Sequence, residues 1–229
     1  MQNIIFQSSR SLLDIFESDY IYSQADSCPP TTIEKKAFPV GGGVTYYFAH
    51  HNYDISNNMQ TVMLMCPICF ELFAVKMQYN VNIEAISMTK GLTLEFGHHI
   101  KIFSENGCPN CNSEEAFIKL DPNIATTVCI LNRKGYFTSY CCEYHFGKDC
   151  GSSAPYIAFK NTDIFDYIDY LPDSWYPDFE SYKLWGNPVI RATTPRDTDE
   201  LKDSILDLLQ FAYQLPDSKT LKNAIPSTE

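Results

Sequence analysis

Two short segments constrain this chain more than any others: Cys66-Pro67-Ile68-Cys69 and Cys108-Pro109-Asn110-Cys111. Each is a Cys-x2-Cys pair opened by Cys-Pro. A turn of that length lets two sulfurs converge on one ion while backbone amides point at the thiolates. Two such pairs supply four soft donors, the number a tetrahedral zinc ion takes in a closed structural site. The 38 residues between the pairs make a long linker. That length fits a zinc ribbon in which each knuckle caps a hairpin and the linker carries further strands. Cys66, Cys69, Cys108 and Cys111 are therefore the expected metal ligands, with Zn2+ as the cofactor.

Redox chemistry and disulfides are the competing uses of such pairs. A redox Cys-x2-Cys sits at a strand-to-helix junction, whereas strand-like sequence flanks both pairs here: Thr61–Met65 and Phe70–Val75 around the first, Ala116–Leu120 after the second. Disulfides suit secreted chains, yet the first residues, Met1 to Phe6, carry no basic n-region or long apolar stretch, and the cysteine total of nine is odd. The cytoplasm is the expected address.

At 229 residues, with 45 % apolar and 14 % aromatic content, the chain can bury a core as one domain or two small ones. No apolar run approaches the roughly 18 residues that suggest a membrane span. The net charge of −11 argues against nonspecific duplex binding by the whole surface, because that needs a basic stripe which displaces counterions from phosphates. The adjacent basic pairs are Lys35-Lys36 and Arg133-Lys134.

The expected fold class is α+β: a four-cysteine zinc ribbon with antiparallel strands, then a helix-strand-loop-strand unit and C-terminal helices. We divide the chain into residues 1–58 (N-terminal helix and strand region), 59–120 (zinc ribbon), 121–216 (α+β C-terminal region) and 217–229 (polar tail). In the first segment Ser9 opens a short helix with Leu12, Leu13 and Phe16 on one face. Gly41-Gly42-Gly43 reads as a flexible turn before the strand Val44–Phe48, since a phosphate cradle would need a helix after the glycines. Between the knuckles, Val81–Met88 and Leu92–Phe96 read as strands, and His98 and His99 are weaker ligand candidates. Asp121 and Pro122 start a helix with Ile124, Val128 and Leu131 on its apolar face, and Gly135 ends it in a left-handed conformation. Tyr136–Cys142 and Ala154–Phe159 read as paired strands. Thr162–Leu171 reads as a second helix with Ile164, Ile168 and Leu171 inward, and about 172–195 as irregular. Asp197 to Glu200 reads as a capping box that opens a helix burying Leu201, Ile205, Leu208, Leu209 and Ala212, with Pro216 as its stop.

The run from Leu131 to Tyr136, continued by Phe137-Thr138, then Cys141-Cys142-Glu143-Tyr144-His145 and finally Pro155-Tyr156-Ile157-Ala158-Phe159, resembles a pattern of uncharacterised bacterial, phage and mobile-element zinc-ribbon proteins. That pattern reads L-N-x-K-G-Y-x-T, a cysteine-rich loop ending in His, and P-Y-I-x-F, with Cys-Pro-x-Cys knuckles upstream. The resemblance covers about 66–160 and implies no activity. Glu143-Tyr144 stands where such proteins have a small Ser-Gly or Glu-Gly step.

The loop leaves three readings open: a second metal site from Cys141, Cys142, His145 and Cys150; a thiol nucleophile at Cys142 with His145 as base; or plain buried cysteines. The leading functional expectation is a zinc-stabilised binding or regulatory protein, not an enzyme. Residues 161–207 carry eleven acidic against four basic side chains, interleaved with Tyr167, Tyr170, Trp175, Tyr176, Phe179, Tyr182 and Trp185. Such a surface suits a protein partner with a basic groove. In a phage or mobile-element setting that groove belongs to a host nucleic-acid enzyme, and the protein is its inhibitor. A nucleic-acid-binding zinc-ribbon factor, using Arg133 and Lys134, is the second expectation and is disfavoured by charge. A Cys-His enzyme is the third.

Overall fold

The computed structural model describes residues 31–38, 44–51, 59–78, 92–95, 101–104, 106–143, 154–166 and 168–218. The expectations placed on Ser9 to Phe16, Gly41–Gly43, Val81–Met88, His98, His99, His145 and Cys150 lie outside these residues, as does the tail beyond Ser218. The chain is mixed α+β, and every strand pairing among the described residues is antiparallel. The described residues form two compact units, the division falling between Ala125 and Thr126, with Phe38 belonging to the second. No helix among the described residues is long and apolar enough to cross a membrane.

In the first unit, β1 (Thr31–Ala37) and β2 (Thr45–His51) form a hairpin. A three-stranded sheet follows, with β3 (Met59–Met65) between β4 (Leu72–Gln78) and β7 (Ile118–Leu120). The remaining pair is β5 (Leu92–Glu95) with β6 (Lys101–Ser104). Successive strand residues face opposite sides of a sheet, so burial of Met63, Leu64 and Met65 together means that both faces of β3 are covered. Phe73 and Phe117 meet edge to face at 5.7 Å. The Ala49 amide donates to Asn123 Oδ1 at 2.9 Å, anchoring β2 to the first turn of α1 (Pro122–Arg133).

The second unit is built on a four-stranded sheet of order β10-β11-β9-β8, with β8 Thr138–Cys142, β9 Tyr156–Phe159, β10 Trp175–Pro177 and β11 Val189–Ala192. Val189, Ile190 and Ala192 are all fully buried, so this sheet too is covered on both sides. The helix α3 (Thr198–Gln214) buries Leu201, Ile205, Leu208, Leu209 and Ala212, with Phe211 in addition. Its Asp197 cap accepts from the Glu200 amide, while the Glu200 carboxylate reaches back to the amide of Arg196, one residue before the cap.

Two expectations for this half are corrected. Within Thr162–Leu171 the described residues hold only a 3-10 turn, Ile164–Asp166, closed by Ile164 and Asp166 amides donating to the carbonyls three residues back. Ile164 and Ile168 are buried all the same. Three aspartates in seven residues lower the helix propensity, and Pro172 removes a donor beyond. The stretch 172–195 is not irregular: it contains β10, α2 (Phe179–Trp185) and β11.

The L-N-x-K-G-Y-x-T run is a structural clasp. Asn132 donates to the Val128 carbonyl and to Thr138 Oγ1, and accepts from the Thr138 amide. The Lys134 ammonium donates to the carbonyls of Tyr213 and Leu215 at 2.5 Å each, where the end of α3 leaves acceptors unmatched. Gly135 has φ +87°, and a Cβ there would lie 2.2 Å from Ser218 Oγ. The buried Tyr136 donates its hydroxyl to the Pro216 carbonyl at 3.0 Å. Lys134 thus bridges the turn after α1 to the carbonyls at the end of α3.

One of the acidic residues of 161–207, Asp178, is engaged within the fold. Its side chain caps α2, accepting from the Ser181 amide at 3.0 Å, and pairs with Arg191 Nε at 2.5 Å; only about an eighth of it is exposed (13 %). Burial acts to raise this carboxyl, but the Ser181 amide and hydroxyl and the Arg191 guanidinium outweigh it and hold the group at about 2. A carboxyl depressed below its unfolded value of about 3.9 contributes stability that is present above that value and lost as pH falls through the folded one. Acid titration should therefore weaken the second unit between about pH 4 and pH 2. Asp178→Asn should flatten that part of the curve in urea melts recorded against pH.

Candidate metal centre

The two knuckles have the same backbone. In the first, the Cys66 amide donates to the Glu71 carbonyl and the Phe70 amide to the Cys66 carbonyl, both at 3.0 Å. In the second, the Cys108 amide donates to the Ser113 carbonyl and the Asn112 amide to the Cys108 carbonyl, both at 2.7 Å. The offsets of five and four residues are identical. The residue four after each leading cysteine is left-handed: Phe70 at φ 55° and Asn112 at φ 58°. Asparagine visits that region readily, whereas a bulky residue there is an outlier. Phe70 is therefore held by its surroundings, between the knuckle hydrogen bond and the start of β4.

β3 delivers the chain into the first knuckle and β4 carries it out, with Met65 opposite Leu72 closing the hairpin. β7 follows the second knuckle and pairs with β3, Met65 opposite Ile118. Gly107 opens the second turn at φ +67°, and any Cβ there would lie 2.7 Å from the Ser113 carbonyl oxygen. Only glycine fits that approach.

The four sulfurs converge as expected from the spacing. All lie within 4.8 Å of one another, with Cys66 Sγ to Cys111 Sγ and Cys69 Sγ to Cys108 Sγ both at 3.7 Å. None of the four is in a disulfide. Zinc–sulfur bonds of about 2.3 Å in a tetrahedron put sulfurs about 3.8 Å apart, so the donor set and spacing fit one tetrahedral ion. Cys66 and Cys108 are buried, Cys69 and Cys111 half-buried.

Backbone amides support the thiolates in matched pairs, those of Ile68 and Cys69 toward Cys66 and those of Asn110 and Cys111 toward Cys108. Burial nevertheless pushes both thiols up from their ordinary value. Cys69 goes the other way: burial opposes it, but the Asn110 side chain, the Glu71 amide and the neighbouring cysteines together draw it down. Buried thiols that hold their protons without metal make uptake proton-releasing and favour release in acid.

The spacing announced the ligands, but not Phe70 or the Asn110 side chain. Superposing the two knuckles by their leading cysteines aligns Phe70 with Asn112, and only the asparagine advertises a left-handed turn. Cys141 and Cys142, on β8, are both half-buried rather than fully buried, and Cys129 on α1 is buried. Among the described residues, the Cys66, Cys69, Cys108 and Cys111 cluster is the one group of three or more His, Cys, Asp or Glu side chains close enough to share a metal. No family model, no curated protein and no solved structure matches the chain.

Proposed function

We propose that the four-thiolate centre holds a structural zinc ion in a zinc-ribbon arrangement. The protein is then a metal-stapled binding factor, not an enzyme, whose second unit docks on a basic protein surface. For the ion, the convergence of four sulfurs within 4.8 Å of one another, two pairs of them at 3.7 Å, carries the reading. Four-sulfur coordination leaves no open position for a substrate, so the metal serves folding rather than catalysis.

For docking, the supporting observation is the apolar surface on β10 and α2. Leu184 is 82 % exposed and Phe179 58 %, with Tyr176 and Trp185 each about two-fifths exposed. The resemblance to phage and mobile-element proteins gives the partner's expected nature: a host nucleic-acid enzyme whose basic groove this surface occupies, at a cytoplasmic address. Trp185 also packs against Tyr156 at 5.3 Å, which fixes its ring at the edge of the patch.

Asp173 and Glu180 are the exposed carboxylates to test, because Asp178 is committed to α2 and Arg191. A partner recovered from the bacterial host should bind more weakly as salt rises, since exposed charges are screened beyond about 8–10 Å. Asp173→Asn with Glu180→Gln should weaken it further, and Leu184→Ser should weaken it independently of salt. All three changes lie on the surface and leave stability nearly unchanged. Binding indifferent to salt and to both variants contradicts the docking reading and turns attention to the ribbon as the contact surface.

A further inference from the structure

The sulfurs of the two knuckles touch in crossed pairs. Cys66 Sγ lies 3.7 Å from Cys111 Sγ, and Cys69 Sγ lies 3.7 Å from Cys108 Sγ. Each pair joins a buried cysteine to a half-buried one: Cys66 and Cys108 are closed off from solvent, whereas Cys69 and Cys111 are partly open to it. The turns that carry them sit side by side because β3 enters the first knuckle and β7 leaves the second. Those two strands pair, with Met65 opposite Ile118.

A disulfide holds its sulfurs at about 2.05 Å, so each crossed pair has to close by only roughly 1.7 Å. The backbone hydrogen bonds that shape each knuckle do not involve the thiols, and a small shift of one turn toward the other leaves them intact. Loop length separates the possible pairings. The crossed partners stand 45 and 39 positions apart in the chain, whereas partners within a knuckle stand three apart. A disulfide restrains the unfolded chain more strongly the longer the loop it closes. Crossed disulfides therefore stabilise the fold, and disulfides inside the knuckles do little for it.

We propose that this centre is a redox-convertible staple: a hydroperoxide oxidises it to the Cys66–Cys111 and Cys69–Cys108 disulfides, which hold the knuckles together in place of the ion. The ion's part in this rests on the zinc reading; the pairing of the sulfurs does not. The half-open Cys69 thiolate attacks one oxygen of the peroxide, the O–O bond breaks, and hydroxide leaves while Cys69 becomes a sulfenic acid. The buried Cys108 thiolate then attacks the Cys69 sulfur, forming the S–S bond and expelling a second hydroxide. Cys111 and Cys66 take the same two roles. Each pair gives up two electrons to one peroxide, whose oxygens end as two waters after taking two protons from solvent. A sulfur tied into a disulfide is no longer a thiolate donor, so oxidation frees the ion without freeing the turns.

The full chain, as purified, is treated with hydrogen peroxide, its remaining thiols are alkylated, and it is digested with trypsin without reduction. Cleavage at Lys36, Lys76, Lys101 and Lys119 places Cys66 and Cys69 in one peptide, 37–76, and Cys108 and Cys111 in another, 102–119. Crossed disulfides link the two peptides; disulfides inside the knuckles leave them separate. The linked pair should be the main product, with fragmentation joining Cys66 to Cys111 and Cys69 to Cys108, and a zinc-sensitive dye should rise in step with it. In the presence of a chelator the oxidised chain should keep its near-ultraviolet signal, and dithiothreitol should then abolish it. Separate peptides, a Cys66–Cys108 link, sulfinic acids at Cys69 and Cys111 without any link, or linked peptides from a chain that has lost its fold would each overturn the proposal. Zinc content measured before the peroxide reports on the metal separately: linked peptides from a folded, zinc-free chain would uphold the pairing and remove the zinc reading.

Discussion

Removing the metal should unfold the first unit. In sites of this kind metal binding and folding are coupled at on the order of 10 kcal/mol, comparable to the whole stability of a domain. Met63, Leu64 and Met65 sit in the strand that feeds the first knuckle, and β7 reaches β3 only after the second. Without the ion, the left-handed Phe70 and the two buried cysteines have nothing to offset their cost. A strong chelator at neutral pH should abolish the near-ultraviolet signal of Phe73 and Phe117. Cys66→Ser and Cys111→Ser should each lower metal content and soluble yield together. Acid should have the same direction of effect, because the raised Cys66 and Cys108 thiols take up protons as the metal leaves. Chelated protein that melts like the untreated sample would contradict the coupling.

The second large effect is expected at Trp175. The sequence offers it as a docking aromatic, but the side chain is buried and its indole donates to the Ser204 carbonyl of α3. On β10 it stands opposite Ala192 of β11, so one residue joins the sheet edge to the helix. Trp175→Ala should cost about 3–5 kcal/mol in urea unfolding, the usual range for emptying an aromatic site in a core. Trp175→Phe, which keeps most of the volume and loses the N–H, should cost less than half as much. A loss below about 1 kcal/mol for the alanine variant would mean that the site collapses or that the ring is dispensable.

The legibility of the sequence followed the length of its signals. Cys66, Cys69, Cys108 and Cys111 were readable because metal geometry demands a fixed spacing of rare residues. The helices at Pro122 and Thr198 were readable because each runs for three turns or more with a repeating apolar face and a punctuated end. Gly135 was correctly read as left-handed for the same reason. The stretch from Pro172 to Ala192 was not readable. It consists of elements of three, seven and four residues separated by Asp178, Gly186 and Pro188, too short for either period to register. In Asp163, Asp166 and Asp169 beside Ile164 and Ile168, a helical spacing of apolar residues was real, and those two isoleucines are buried, yet the described residues there make one tight turn, Ile164–Asp166. Charge counting failed at single residues. Asp178 and Lys134 were counted as surface charge, and each is engaged by its own fold. That engagement depends on residues 13 and about 80 positions away, which no local pattern carries.

The central claim is the four-thiolate zinc centre, and X-ray absorption at the zinc edge, combined with elemental analysis of the purified chain, tests it most directly. The account predicts one zinc per chain with a shell of four sulfurs at about 2.3 Å. Protein that is folded and free of zinc, or a zinc shell containing nitrogen or oxygen donors, would contradict it.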